Sequence, residues 1–334
     1  MRRRTSAGLG SSLLAGLVLV LSAVLSPLAA AATSGSAGGN GLKISPVSTN
    51  ITVNPGQSQT VTVNVQNVTQ APVTLQVFIN DFTASGDESG TPALLLNPNQ
   101  YAPSHSLKRY VAPVPNVTLA AGQEKSVGVT ITIPSDAPGG GYYGAVRFAP
   151  ASSGGSGSVA LSASVASLIL VRVPGDFKED LQLTDMSVQQ GDNGSSSVVF
   201  TSSKNLVAAI RFKNDGDVQE QPFGKLLLKQ GKKQLASFEI NNTTPRGNVL
   251  PDSVRKFTVS LSHIGMFGKY TLEGNFGFGQ DGQLLSGQTT FYVIPIWGIL
   301  GVLAVILIIL FFIFGFPRLM RGYNQRVVRR ATRR

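Results

Sequence analysis

Apolar and polar residues alternate one by one along most of the middle of the chain. Val61, Val63 and Val65 interleave with Thr60, Thr62, Asn64 and Gln66, and Val73, Leu75, Val77 and Ile79 share one face of the next run. The same pattern returns at Val127, Val129, Ile131 and Ile133, at Leu206, Ala208, Ile210 and Phe212, and at Phe257, Val259 and Leu261. A period of two places one set of side chains in a core and the other in water, so these runs predict half-buried strands. Between them stand turn formers: Asn54-Pro55-Gly56, Ala121-Gly122, Asp136-Ala137-Pro138-Gly139, Asn214-Asp215-Gly216-Asp217 and Leu250-Pro251-Asp252. No helical period of 3.6 appears outside two apolar segments near the ends. The prediction is an all-β protein built as a β-sandwich or barrel.

A weak internal repeat predicts two such sandwiches in tandem. One strand ends at Asn67 and another at Asn214, and later strands open on Gly141-Tyr142-Tyr143 and Gly268-Lys269-Tyr270. The first copy is longer by about 20 residues, most economically placed in the polar, Pro-rich stretch from Thr83 to His105. A boundary at Pro174-Gly175-Asp176 gives a first sandwich over 42–175 and a second over 176–293. Residues 33–41 read as a flexible Gly/Ser leader, and 152–158 as a hairpin loop between strands.

The apolar ends define a topology. Residues 1–32 carry Arg2, Arg3 and Arg4, an apolar core from Leu13 to Leu25, Ser26-Pro27 and a run of alanines, the layout of a cleavable export signal. Residues 296–316 hold no charge and reach ~32 Å as a helix, which matches a bilayer core. Trp297 stands at one end as an interface residue and Arg318, Arg321 and Tyr323 at the other, followed by a basic tail over 317–334. Lysine and arginine bias predicts a cytoplasmic tail and extracellular sandwiches in the cell membrane.

Charge agrees with this layout. Of 28 Lys and Arg, ten flank the two apolar segments, leaving 18 against 17 Asp and Glu. The net charge of +11 is therefore a topological signal, and the neutral middle predicts no nucleic-acid partner. The absence of Cys excludes thiol chemistry, disulfides and Cys-based metal sites.

Ser104-His105-Ser106 sets hydroxyls beside an imidazole, but sequence neighbours do not make a triad. Asp87 and Glu88, or Asp176, Glu179 and Asp180, lack the loop spacing of a calcium site; the latter trio is at most a hinge candidate. The reading is a non-enzymatic protein with no cofactor and no resident metal. Binding residues are sought in the long loop, at Leu95, Tyr101 and His105, and on the strand with Tyr142, Tyr143 and Arg147. On that strand Tyr143, Ala145 and Arg147 share one face, and Tyr142, Gly144 and Val146 the other.

The runs LKISPVSTNITVNPGQSQTVTVNVQNVT, NDFTASGDESGTPALL and VTITIPSDAPGGGYYGAVRF resemble the peptidoglycan-binding, immunoglobulin-like domain of the WxL-interacting proteins of bacterial cell surfaces. The later runs IRFKNDGDVQEQPFGKLLL, VLPDSVRKFTVSL and GKYTLEGNFGFG are similar to the second immunoglobulin-like domain of such chains. The resemblance implies a cell-wall glycan or a surface protein as partner and an adhesion or scaffold role. The alternative is an envelope assembly factor that lends a sheet edge to exported subunits.

Overall fold

The computed structural model describes residues 41–151, 164–318 and 320. The expected signal peptide, the leader as far as residue 40, the 152–158 loop and the tail beyond Met320, with Arg321 and Tyr323, lie outside the described residues. Leu42–Arg334 form one compact unit. The all-β expectation with one C-terminal apolar helix is borne out.

In the first sandwich, β1 (Leu42–Ser45), β3 (Ser58–Asn67) and β7 (Glu124–Thr132) form one sheet in the order β1-β3-β7. The other sheet runs β2 (Ser48–Thr52), β9 (Val165–Val173), β8 (Gly140–Pro150), β4 (Val73–Ala84). Two short strands, β5 (Pro92–Leu94) and β6 (Val117–Leu119), pair with opposite ends of β4. Between the sheets lie Val61, Val63, Val65, Leu75, Val129, Ile131, Phe148, Ile169 and Val171, the apolar set that the alternation predicts for β3, β4 and β7 together with its counterparts on β8 and β9.

The second sandwich repeats this plan. Its first sheet is β10 (Leu181–Gln190), β12 (Leu206–Asn214), β15 (Ser253–Ser260), in that order. Its second is β11 (Val199–Phe200), β17 (Gln283–Val293), β16 (Gly268–Phe278), β13 (Phe223–Gln230), β14 (Lys233–Ile240). In both sandwiches a short strand pairs in parallel with the last strand, β2 with β9 and β11 with β17, and the other pairings between the named strands are antiparallel. Strands β5 and β6 flank the two ends of β4 where the single strand β14 flanks β13, so the extra residues of the first copy lie in the turn at 85–91 and in the segment between β5 and β6.

The repeat rests on a shared device. Asn67 and Asn214 are fully buried at the ends of β3 and β12. The Asn67 amide donates to the carbonyls of Ala71 (2.7 Å) and Ala120 (3.0 Å), and its oxygen accepts from the Thr69 N–H. The Asn214 amide donates to Val218 (2.7 Å) and Val249 (2.9 Å), and its oxygen accepts from Gly216. Each Asn thus serves buried backbone groups of a turn that leaves the sheet and of the chain returning toward it.

The register of the tyrosine strands differs by one residue from the sequence expectation. Gly140 pairs with Val173 and Gly268 with Val293, both with φ near +143° or +144°, so Tyr142 corresponds to Tyr270. Both rings pack in the core, and both hydroxyls donate to nearby backbone carbonyls, Pro138 and Phe267. A shift of one reverses the face, which sends Tyr143 outward.

Helix α1 (Ile296–Leu310) starts two residues after β17, and the helical segment continues through a π turn to Arg318, two residues past the expected span. Its mean hydropathy is 3.2 and its surface is exposed, as suits a helix whose solvent is lipid.

Candidate functional site

The first sandwich places its candidate residues through two neighbouring side chains of β4, Asn80 and Asp81. Both are buried, and as strand neighbours they face opposite sides of the sheet. The Asp81 carboxylate accepts from the Ala102 N–H (2.9 Å), the Ser106 hydroxyl (2.6 Å) and the Lys108 N–H (2.9 Å). It therefore pins the 102–108 segment against the sheet. Asn80 donates to the Leu95 carbonyl (2.8 Å) and accepts from the Arg147 Nε (3.2 Å). Where β4 stops pairing with β8 at Asp81 and Gly144, residues 105–106 take its place: Tyr143 N–H donates to the His105 carbonyl at 2.8 Å.

The six candidate binding residues fall in three environments. Tyr142 packs in the core edge-on to Tyr110, ring centroids 5.2 Å apart, and burial pushes its hydroxyl up to about 12, with Tyr110 adding to the effect. Tyr143 is buried on the outer face with Phe82, Ala145 and Leu170, and its hydroxyl donates to Gln219 of the second sandwich (3.1 Å). Burial raises its pKa strongly. His105 bonds the Gly141 carbonyl through Nδ1 (2.7 Å) and lines, with Tyr143, Leu250 and Asp252, a cleft of about 460 Å³ between the two sandwiches.

Leu95, Tyr101 and Arg147 complete the set. Leu95 is half-buried and Arg147 stacks on Phe78 at 4.5 Å. Tyr101 is 45% exposed, and its ring carries both the Lys108 ammonium (4.7 Å) and the Arg109 guanidinium (4.8 Å). Lys108 also donates to the Pro98 and Gln100 carbonyls. An aromatic ring thus holds two cations within 5 Å of its centroid, on a loop fixed by Asp81. Of the interface residues, Trp297 is exposed at the start of α1 and Arg318 donates to the Phe314 carbonyl (3.0 Å).

Part of the long loop is committed to an internal contact. The turn between β4 and β5 reaches the second sandwich, where the Glu88 carbonyl accepts from the Lys256 N–H (2.8 Å) and its carboxylate pairs with Arg211 (2.7 Å). Gly141 N–H donates to the Asp217 carbonyl (2.8 Å), and a Cβ on Gly139 would fall 2.8 Å from Gly175 Cα, so the glycine run allows a close backbone approach. Two of the acidic trio at 176–180 are spent on ion pairs, Glu179 with Arg172 (2.7 Å) and Asp180 with Lys178 (2.6 Å). Among the described residues no group of His, Asp and Glu is placed to hold a metal ion.

A second junction cleft, of about 340 Å³, is polar and lined by Arg172, Gln219, Glu220, Arg246 and Gln280. Glu220 is buried there; one carboxylate oxygen accepts from the Gly279 N–H (3.0 Å) and the other is 3.8 Å from the Arg172 guanidinium, without a hydrogen bond. Burial first, then the negative charge of Glu179, push its pKa from 4.5 up to about 7, against the pull of Arg172 and Gly279. Below pH 4.5 the group is protonated folded or unfolded. As the pH rises the unfolded chain releases the proton first, so the penalty for charging Glu220 grows until it is complete above pH 7. Stability is expected to fall over that window in the parent, and Glu220→Gln to flatten the fall and be the more stable chain at pH 8. Denaturant unfolding of the full chain in detergent at pH 4 to 8 checks this, and parallel curves would refute it.

The first sandwich is thus a β-sandwich scaffold that carries an accessible cationic, aromatic loop. Residues 49–150 match the family described as "WxL Interacting Protein, peptidoglycan binding domain", and the first sandwich is a domain of that family, as the sequence resemblance implies. This match supports a cell-surface binding role and a cell-wall partner. No curated protein matches the chain. Among solved structures it is similar to the class 5 fimbriae chaperone CfaA, at 14% identity and TM-score 0.36, over 76% of this chain and 100% of that one. It is likewise similar to the E. coli chaperone DraB, at 15% identity and TM-score 0.33, over 75% and 96% of the two chains. A third likeness is to a chain of the CsuC-CsuE pre-assembly complex of Acinetobacter baumannii, at 16% identity and TM-score 0.34, over 73% and 97%.

Asn80 and Asp81 are the residues that sequence reasoning missed. Their signal was present: an amide and an acid in succession inside a strand, where a turn residue has no local reason to be.

Proposed function

We propose that this chain is a single-span envelope protein whose first sandwich holds peptidoglycan on the outer side of the cell membrane. Its role is adhesion or scaffolding without catalysis, and its basic tail lies in the cytoplasm. The match of residues 49–150 to a peptidoglycan-binding family carries the reading. The patch of Tyr101, Lys108 and Arg109 supports it, because cell-wall polymer offers sugar faces to an aromatic ring and stem-peptide carboxylates to cations. The full chain in detergent is expected to sediment with purified cell wall; equal recovery with and without wall would end the proposal.

Strand addition is the second reading. Strand β14 is paired on one side only, with β13, and offers the edge such a partner would use. A cross-linker placed on β14 that traps an exported polypeptide, while wall binding is absent, would favour it.

A further inference from the structure

Only Ile294 and Pro295 separate Val293, the last residue of β17, from α1, and three peptide units reach at most ~11 Å. The end of the second sandwich that carries Val293 is therefore held against the bilayer that α1 enters. Register identifies that end. Val293 pairs with Gly268 and with Phe200, and the loop from β15 to β16, residues 261–267, finishes beside it. In this loop Met266 is 80% exposed and Phe267 71% exposed. Two large apolar side chains in succession on a loop tip lose favourable burial in water, and here they stand within about a nanometre of a membrane surface.

Charge is sorted along the same axis. Lys204, Lys232, Lys233 and Lys269 lie in exposed positions at this end, in the loop before β12, the β13–β14 turn and the start of β16. Asp192 is the one acid in the loops there. The opposite end, which meets the first sandwich, carries Asp176, Glu179, Asp180, Asp215, Asp217 and Asp281. The second sandwich is thus neutral in sum and basic toward the helix.

We propose that this end docks on the lipid surface itself, with Met266 and Phe267 entering the boundary between headgroups and acyl chains and the four lysines facing anionic headgroups. The proposal rests on α1 spanning a bilayer and is independent of what the first sandwich binds. Two attachments in place of one stop the sandwiches from swinging about residues 294–295.

Because the chain has no Cys, one introduced thiol is a unique reporter. The full chain carrying Met266→Cys, Asp281→Cys or Ile306→Cys is labelled with an environment-sensitive fluorophore. Each is reconstituted in vesicles of phosphatidylcholine with phosphatidylglycerol, and quenched by nitroxide lipid or by aqueous iodide. The label at 266 is expected to be quenched by nitroxide lipid about threefold or more above the label at 281, and to be shielded from iodide. Behaviour like that at 281, with the label at 306 still quenched by lipid, overturns the proposal and leaves the span standing. Identical behaviour at all three positions overturns the span and the proposal together. Lipid quenching at 266 that is the same with and without phosphatidylglycerol also overturns it, since the lysines would then contribute nothing.

Discussion

Asp81→Ala is expected to cost about 3–5 kcal/mol and to release the segment that carries the candidate binding loop. Three donors aim at one buried carboxylate: the Ala102 and Lys108 N–H groups and the Ser106 hydroxyl. Alanine removes three charge-assisted hydrogen bonds and leaves their donors facing a cavity, and each orphaned buried donor costs about 1–3 kcal/mol. The effect propagates along the chain, because His105–Ser106 continues the sheet beside β8 only while the 102–108 segment is held. Asp81→Asn provides the calibration. It keeps the shape and one acceptor oxygen, but sets an amide against the Lys108 N–H or against Ala102 and Ser106. Its loss should fall between the parent and the alanine variant. Denaturant unfolding measures the stability, and protease cutting between residues 95 and 108 measures the release. An alanine variant within about 1 kcal/mol of the parent would mean that water or rearrangement serves these donors equally well.

The Asn67 and Asn214 repeat was legible because the oxygen of each side chain bonds two residues on and its amide four residues on, so half of the device lies in one short stretch of sequence. The strands were legible because period two is a local property. Tyr143 marks where locality ends. Alternation placed it on the correct face with Ala145 and Arg147, yet that face is covered at Tyr143 by Gln219 and Leu250, which lie 76 and more residues away. The turn at 85–91 shows the same limit: its polar composition suggests open solvent, whereas Glu88 docks on β12 and β15. Asn80 and Asp81 break the alternation of β4 for partners 15 to 67 residues away, none of which a window of one strand contains.

These environments decide which candidate residues are to be tested for binding. Tyr142 and Tyr143 serve the core and the junction, and Arg147 is tied to Phe78 and Asn80, so replacing any of them changes the scaffold together with any ligand contact. Tyr101 differs, since nearly half its surface is open and the groups around it are cations on the same loop. Without the ring, Lys108 and Arg109 lose the quadrupole that holds like charges together, and a glycan loses a stacking face. Tyr101→Ala is therefore expected to weaken cell-wall binding by about tenfold, and Tyr101→Ala with Lys108→Glu and Arg109→Glu by about a hundredfold or more, while Tyr101→Phe stays within about threefold of the parent. The two single variants should unfold within about 1 kcal/mol of the parent, whereas the triple variant, which also loses the Lys108 ammonium's bonds to the Pro98 and Gln100 carbonyls, should lose about 1–3 kcal/mol while the Asp81 bond to the Lys108 backbone N–H still holds the segment. Titrating the full chain in detergent with purified wall reads the first effect and denaturant unfolding the second. Parent-like wall binding by the triple variant would move the ligand off this loop and onto the cleft that His105 lines together with Pro103 and Leu250.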